Sequence, residues 1–517
     1  MEFSGNRFVR SNLHLLIVSS FSFLLVYISS FVKGYGYFID EFYYIACASR
    51  PAMGYVDHPP LAPLVLTIFQ FFFGDSVFAI RILPSLALAA SVFLTGIITR
   101  ELGGKKFSQL LAACAMAACP IAVAASGFYS MNAFEPVLAL ALIYLIIKMI
   151  KENDQKKWIW AGVVMGLGLM NKHTFGLFIA VLVISLLITG KWKLIVNKWF
   201  LFGCLCAFLI FLPNIIWQIL NDYPSLEFYR NISKYKNVYT PPSAFLITQI
   251  TTISPSLLLL WLSGVVYLLV SKRVKQFRFV SVLFIILFLL MMFTGTSRPD
   301  RLLFAYPGVF AGGALFFESI IEKYNIKWLK GILVVLTFVG LFIALPIILP
   351  YFNYDFVSSY TKKLGINTEM ERGKKPPLPQ LLADRIGWEE KFNMVLNAYN
   401  SLPEEDKRQV IIGAGNYGQA GAIELFGKKY NLPFVASGHN TYYLWSKDNL
   451  QGKNILLQLD DRRSLPSYKE VFGQVDVWPQ EFVNSYVSGH ENHLKVFICR
   501  YPNISTRMML DRGKFYY

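Results

Sequence analysis

Apolar runs of about twenty residues, long enough to cross a hydrocarbon core about 30 Å thick, recur through the first two thirds of the chain between short polar segments. Eleven spans are predicted, at 13–32, 76–98, 108–126, 133–150, 158–171, 174–189, 199–217, 253–270, 279–294, 302–317 and 331–350. The fifth, ninth and tenth are short. The first follows Arg7 and Arg10, is long for a signal-peptide core and lacks a small-residue cleavage site, so it is expected to remain as a span.

The pattern changes after Tyr351. KKPPLP at 374–379 reads as a linker, and short apolar runs such as QVII at 409–412 and LPFVAS at 432–437 alternate with helical periodicity, which predicts a small soluble α/β domain. Two regions are therefore expected: a polytopic helical domain over 1–350, with a long first outer loop at 33–75, and an extracytoplasmic α/β domain over 351–517.

Composition agrees with the pattern. The chain is 55% hydrophobic and 16% charged, with a mean hydropathy of +0.45, whereas soluble domains carry about a quarter charged residues. A net charge of +17 would suggest nucleic acid in a soluble chain, but the basic residues follow the positive-inside rule. With the N-terminus inside, Arg100/Lys105/Lys106, Lys151/Lys156/Lys157, Lys191/Lys193/Lys198, Lys272/Arg273/Lys275/Arg278 and Lys323/Lys327/Lys330 all fall in inner loops. The expected partner is the lipid bilayer of the cytoplasmic membrane rather than nucleic acid. Six cysteines, at 47, 114, 119, 204, 206 and 499, show neither CxxC spacing nor a dense framework, so no disulfide scaffold or zinc site is expected.

The first outer loop concentrates the chemistry. GYFIDEFYYIACASRPAMGYVDHPPLAPLVL runs from Gly36 to Leu66, with Phe38, Phe42, Ile45 and Ala46 at helical spacing, so an amphipathic surface helix is expected with Asp40 and Tyr44 on its more polar side. Paired carboxylates, Asp40 and Glu41, are costly so near a membrane exit unless solvated, paired or functional. Asp57 and His58 immediately precede Pro59 and Pro60, which restrict the backbone and present the two side chains with little freedom. The bland alternative is a solvated topogenic loop with a rigid turn; it leaves the gathering of acids, histidine and tyrosines in one loop unexplained.

FIDEFYYIA, then GYVDHPPLAP, then FGDSVFAIRILPSL at 73–86 resemble the dolichyl-phosphate-mannose protein mannosyltransferases (glycosyltransferase family 39) and their bacterial relatives, and more distantly the aminoarabinose transferases of lipid A. Those transferases carry Glu-Lys-Pro-Pro where this chain has Asp57-His58-Pro59-Pro60, so the fixed positive charge is absent at His58. The resemblance covers roughly residues 10–320. It implies a C-type glycosyltransferase (GT-C) fold with about 11 transmembrane helices, a polyprenyl-phosphate sugar donor, and a protein, lipid or glycan acceptor on the outer face.

Further candidates follow along the outer face. In SGFYSMNAFEP at 126–136, Asn132 stands where the family often has an acid, and Glu135, three residues on, shares its helical face. Lys172 in GLGLMNKHTFG resembles a family lysine, while Arg298 and Arg301, ahead of Tyr306-Pro307, and Arg81 supply cations for a phosphate. Each has a plain alternative, a dipole partner for the acids and snorkelling for the bases. GAGNYG at 413–418 fits GxGxxG, but no acid ends the next predicted strand, and a tight strand-to-helix turn is expected there instead.

The resemblance implies Asp40 as general base on an acceptor hydroxyl, with Glu41 beside it. Tyr44, Asp57, His58, Asn132, Glu135 and Tyr306 would position acceptor or sugar, and Lys172, Arg298, Arg301 and Arg81 would bind the donor phosphate. No particular cofactor is implied beyond a divalent metal, which the acids Asp40, Asp57 and Glu135 could hold. A carrier or flippase for a lipid-linked solute would place its ionisable groups near mid-membrane, and a scaffold would make the loop acids dispensable.

Overall fold

The computed structural model describes residues 2–237, 239–295, 298–366, 368, 376–447, 449–450 and 454–517. Lys374 and Lys375 of the predicted linker and Ser297 lie outside them. The chain forms two compact units. One comprises Met1–Phe31, Phe78–Ile216 and Tyr239–Tyr351, the other Val32–Val77, Trp217–Val238 and Phe352–Tyr517. The helical unit ends at Tyr351, and the other unit takes up the chain at Phe352. Residues 32–77 and 217–238, however, group with the C-terminal region and not with the long helices.

The first unit is helical, and the predicted apolar runs account for it. Phe8–Phe31, Val77–Glu101, Met131–Glu152, Lys198–Leu220, Arg301–Tyr324 and Leu329–Ile348 are long and apolar enough to cross a membrane. Pro242–Ile253 and Pro255–Val270 make a seventh span if taken together, bent by 91° at Ser254, where φ is +109°. The helices Trp158–Asn171, Phe175–Ile188 and Phe279–Phe293 have 14, 14 and 15 residues. At 1.5 Å per residue they reach only about 21–23 Å, short of the hydrocarbon core. The expected span at 108–126 is divided into Lys106–Ala117 and Pro120–Ala125, because Pro120 lacks the N–H that would continue the first helix.

Small residues set the closest helix contacts. A Cβ at Gly264 would strike the carbonyl oxygen of Val309, and one at Gly313 that of Leu260; such residues let the Leu258–Val270 and Tyr306–Tyr324 backbones meet where lipid offers no hydrophobic bias. The Lys106–Ala117 helix is capped from a distance. Buried Glu318 accepts from the backbone N–H groups of Lys105, at 2.9 Å, and Ser108, at 3.1 Å, a favourable place for an anion.

The second unit is built on a five-stranded mixed sheet of order β2-β1-β3-β5-β4, with β1 Val410–Ala414, β2 Val435–Ala436, β3 Ile455–Asp461, β4 Phe472–Phe482 and β5 Leu494–Pro502. β1 pairs in parallel with β2 and β3, whereas β5 lies antiparallel to β3 and β4. Every residue of β1 is buried, as a central parallel strand covered on both faces requires. The helices Trp388–Asn400 and Tyr417–Gly427 cover one face, and Ile39–Ser49 from the first loop packs on Tyr417–Gly427. A Cβ at Gly421 would lie 2.8 Å from the carbonyl oxygen of Phe42. Tyr43, Ala46, Cys47 and Tyr55 thus share one core with Ile412, Ala420, Leu457 and Val496.

The first loop differs here from its expected form. Within Ile39–Ser49 only Asp40 and Ser49 escape full burial, so the helix is interior on nearly every side and not a surface-lying amphipathic segment. The polar side assigned to Asp40 and Tyr44 holds for Asp40 alone, because Tyr44 is buried.

Candidate functional site

Asp40 and Glu41 are adjacent in sequence but do different things. The Ile39–Ser49 helix begins after Phe38, whose backbone is extended, and the Phe38 N–H donates to Glu41 Oε2 at 2.8 Å. Glu41 has no exposed surface; this hydrogen bond is the return arm of a capping box and ties its carboxylate to the helix start. Asp40 is half-buried, and Tyr417 donates its hydroxyl to Asp40 Oδ1 at 2.8 Å.

A second tyrosine serves Asp57. The Tyr43 hydroxyl donates to Asp57 Oδ1 at 2.6 Å and lies 2.6 Å from Thr441 Oγ1, which in turn accepts the Val56 N–H at 3.0 Å. Burial, and then the negative charge of Asp57, push the Tyr43 phenol well above its ordinary pKa, so it stays protonated and can donate. Tyr43 and Tyr417 stack with ring centroids 4.8 Å apart. The two phenols therefore link two acids of the first loop.

His58 is enclosed. Its ring stacks on Tyr44 at 4.8 Å and meets Tyr43 and Tyr55 at 5.7 and 5.1 Å. Nδ1 is 2.9 Å from the Pro59 carbonyl oxygen, which accepts and so places the proton on Nδ1. Nε2 is buried with no hydrogen-bond partner among the described residues, 4.0 Å from Asp57 Oδ1.

Candidates of the first unit form a separate group. Ser130 caps the Met131–Glu152 helix by accepting from the Asn132 N–H at 3.3 Å; Asn132 lies in its first turn and Glu135 just beyond it. Lys172 ends the Trp158–Asn171 helix in an extended conformation. Its ammonium donates to Glu135 Oε2 at 2.8 Å and to Asn132 Oδ1 at 3.0 Å. The helical spacing seen in sequence thus does bring Asn132 and Glu135 to one cation. Tyr306 is fully buried and donates to Gln249 Oε1 at 2.8 Å. Arg81 is also buried, its carbonyl accepting from the Ser85 hydroxyl at 2.8 Å, and Arg298 and Arg301 are half-buried.

Tyr43, Tyr417, His439 and Thr441 were not among the sequence candidates. Tyr43 lies in the first loop beside the selected Tyr44, while the signal for the other three lay in two segments following predicted strands, GAGNYG at 413–418 and the aromatic stretch SGHNTYYLW at 437–445. Tyr417 leaves the carboxyl end of β1, and His439 and Thr441 that of β2, where open parallel sheets place functional loops.

Backbone N–H groups of the GxGxxG turn are already taken by side chains. The Gly415 N–H donates to Gln419 Oε1 at 3.0 Å, the Tyr417 N–H to His439 Nδ1 at 3.3 Å, and the Gln419 N–H to Asn416 Oδ1 at 3.0 Å. On the opposite face of the sheet, a cavity of about 520 Å³ runs between Ile411, Gly413, Leu456, Phe472 and Met509. Among the described residues, no three His, Cys, Asp or Glu side chains converge to hold a metal ion. All six cysteines are free thiols.

Comparison with known proteins supplies the context. Residues 57–217 match the family model described as dolichyl-phosphate-mannose-protein mannosyltransferase. No curated protein matches the chain. Among solved structures, ArnT from Cupriavidus metallidurans bound to undecaprenyl phosphate is 11% identical with a TM-score of 0.59, covering 94% of this chain and 98% of its own. Its apo form is 12% identical with a TM-score of 0.57, over 95% and 98%. The overall architecture is therefore that of the GT-C fold of ArnT.

Proposed function

We propose that this membrane glycosyltransferase, which carries a dolichyl-phosphate-mannose-protein mannosyltransferase domain over residues 57–217, moves a sugar from a polyprenyl-phosphate donor to an acceptor hydroxyl at the outer face of the cytoplasmic membrane. The undecaprenyl phosphate bound by the ArnT relative supports a lipid-phosphate leaving group. In this reading all eleven predicted apolar runs contribute to the membrane region, the short helices lying within the bundle, and the C-terminal domain is extracytoplasmic.

Asp40 takes the proton from the acceptor oxygen as that oxygen attacks the anomeric carbon. The sugar–phosphate bond breaks with inversion, and polyprenyl phosphate leaves with the electron pair. The observation that carries this assignment is the division of labour at the helix start: Glu41 is spent on the cap, while the neighbouring Asp40 remains half-buried with Oδ1 anchored by a phenol. Asp57, held by Tyr43, orients the acceptor, and His58, caged by three tyrosines, shapes that side of the loop. Lys172 has three N–H donors. Glu135 and Asn132 take two, leaving one for a phosphate oxygen, and Arg81, Arg298 and Arg301 provide further charge as the leaving group departs. Acceptor class, whether protein, lipid or glycan, follows from the same assay.

Radiolabelled polyprenyl-phosphate sugars offered to the purified protein test this directly. Asp40→Asn is expected to lower transfer by about 10²–10⁴-fold. Normal transfer by a folded Asp40→Asn protein removes Asp40 as the base, and absence of turnover with every donor by the wild type favours a carrier of lipid-linked solutes.

A further inference from the structure

The C-terminal region of a membrane transferase is easily read as an appendage, yet here it shares a core with the first loop and sends side chains to its acids. Tyr417 is held on four sides. Asn416 caps its helix through the Gln419 N–H at 3.0 Å. The Tyr417 backbone N–H donates to His439 Nδ1 at 3.3 Å, and its ring lies against the His439 ring at 4.4 Å and the Tyr43 ring at 4.8 Å. His439 is fixed in turn by Nε2, which donates to the Tyr517 carbonyl oxygen at 2.7 Å, and by stacking on Phe515 at 4.1 Å. A phenol so constrained has little freedom in where its hydroxyl points.

We infer that Tyr417 is the positioning residue for Asp40: its hydroxyl fixes the rotamer of the Asp40 carboxylate in the transfer reaction, which makes the C-terminal domain a working part of the catalytic unit. The inference rests on Asp40 being the general base. It gives GAGNYG a purpose that a nucleotide-binding reading does not. Gly415 and Gly418 allow the turn to pass close to its neighbours, since a Cβ at Gly418 would strike Ile39 of the first-loop helix, and the tyrosine between them is thereby brought to the residue following Ile39.

The physical consequence is specific. A hydrogen bond donated to a carboxylate favours its charged form, so loss of the phenol oxygen is to be read in the pH profile as well as in the rate. The titratable and charged groups of this unit near the contact include Glu41 on the same helix, Tyr43 and His439 stacked on Tyr417, Asp57 beyond Tyr43, and Asp384 and Arg385, whose backbone carbonyls accept from the N–H groups of Ile39 and Gly36. None of these is altered in Tyr417→Phe, which keeps both ring contacts.

The test compares Tyr417→Phe, Asp40→Asn and the double variant as full-length protein with a polyprenyl-phosphate sugar donor, alongside thermal melting. Tyr417→Phe is expected to melt like wild type, keep the donor KM, lose about 3–10-fold in kcat, and move the acidic limb of kcat/KM to higher pH. In the Asp40→Asn background the phenylalanine should cost nothing further. Wild-type kcat, or a lowered kcat with an unmoved acidic limb, overturns the positioning role while leaving Asp40 as base untouched. Full activity of Asp40→Asn overturns the base assignment itself, whatever Tyr417→Phe does.

Discussion

Glu135 in the helical unit and Asp57 in the sheet-containing unit are both carboxylates of the proposed machinery, and they are held in opposite ways. Glu135, 4% exposed, faces the ammonium of Lys172 at 2.8 Å, so charge meets charge. Asp57 accepts from the Tyr43 phenol at 2.6 Å, and Asp40 from that of Tyr417. Breaking a buried ion pair leaves an uncompensated charge, whereas replacing both partners by apolar groups can be nearly neutral. Removing a phenol oxygen beside a partly solvated acid orphans no charge. Substitutions in the first group should therefore act through stability, and those around Asp40 through rate and pH dependence.

The largest expected effect comes from Lys172→Met, which leaves Glu135 buried without its cation at a cost of about 3–5 kcal/mol, read as a lowered melting temperature in detergent. Lys172→Met with Glu135→Leu should recover most of that stability. Transfer should stay lost in the double variant if Lys172 also meets the donor phosphate. Restored transfer would reduce Lys172 to a structural partner and leave the arginines to bind the leaving group.

The sheet-containing unit has its own buried pair, and it sharpens the contrast by titrating. Lys391 donates to Glu491 Oε2 at 2.6 Å, with both side chains 3% exposed, and Asn416 donates to Glu491 Oε1 at 2.6 Å. Burial alone would raise the Glu491 carboxyl, but Lys391, His490 and Asn416 outweigh it and bring the group down to about 2. A carboxyl whose folded pKa lies below its ordinary 4.5 stabilises the fold above that ordinary value, and the contribution is lost as pH falls from about 4.5 toward 2. The melting temperature should decline over that window, and Lys391→Met with Glu491→Leu should abolish that share of the decline. An unchanged acid profile in the double variant would show that the pair does not govern it.

What sequence could reveal followed the range of the interactions involved. Apolar runs marked the helices of the first unit because burial in lipid or protein acts on each segment separately; Pro120 was read through because the apolar run continues on both sides of it, and the predicted span at 253–270 begins at the Ser254 bend and so omits the Pro242–Ile253 helix. Asn132 and Glu135 were legible as a pair because helical spacing is local. Asp40 could be selected as an acid, but Tyr417, 377 positions away, could be joined to it only by packing of the first loop against the Tyr417–Gly427 helix. The same packing explains the misjudged helix at 39–49. Its amphipathic spacing was real, but the C-terminal region covers the side that the spacing left polar, save for Asp40 and Ser49.

The smallest expected effect is at the end of the first loop, where the same unit holds an ion pair at its surface. Lys428 pairs with Asp75, their side chains 55% and 38% exposed, while the Asp75 carbonyl oxygen accepts from the Tyr37 hydroxyl at 2.9 Å. Solvent screens such a pair and two long side chains lose freedom to form it, so Asp75→Asn should change stability by less than about 0.5 kcal/mol and leave transfer as it was. The backbone contact from Tyr37 survives that substitution. A loss approaching that of Lys172→Met, measured in the same melting assay, would mean that exposure does not separate the two kinds of carboxylate, and the contrast between the units would have to rest on charge count alone.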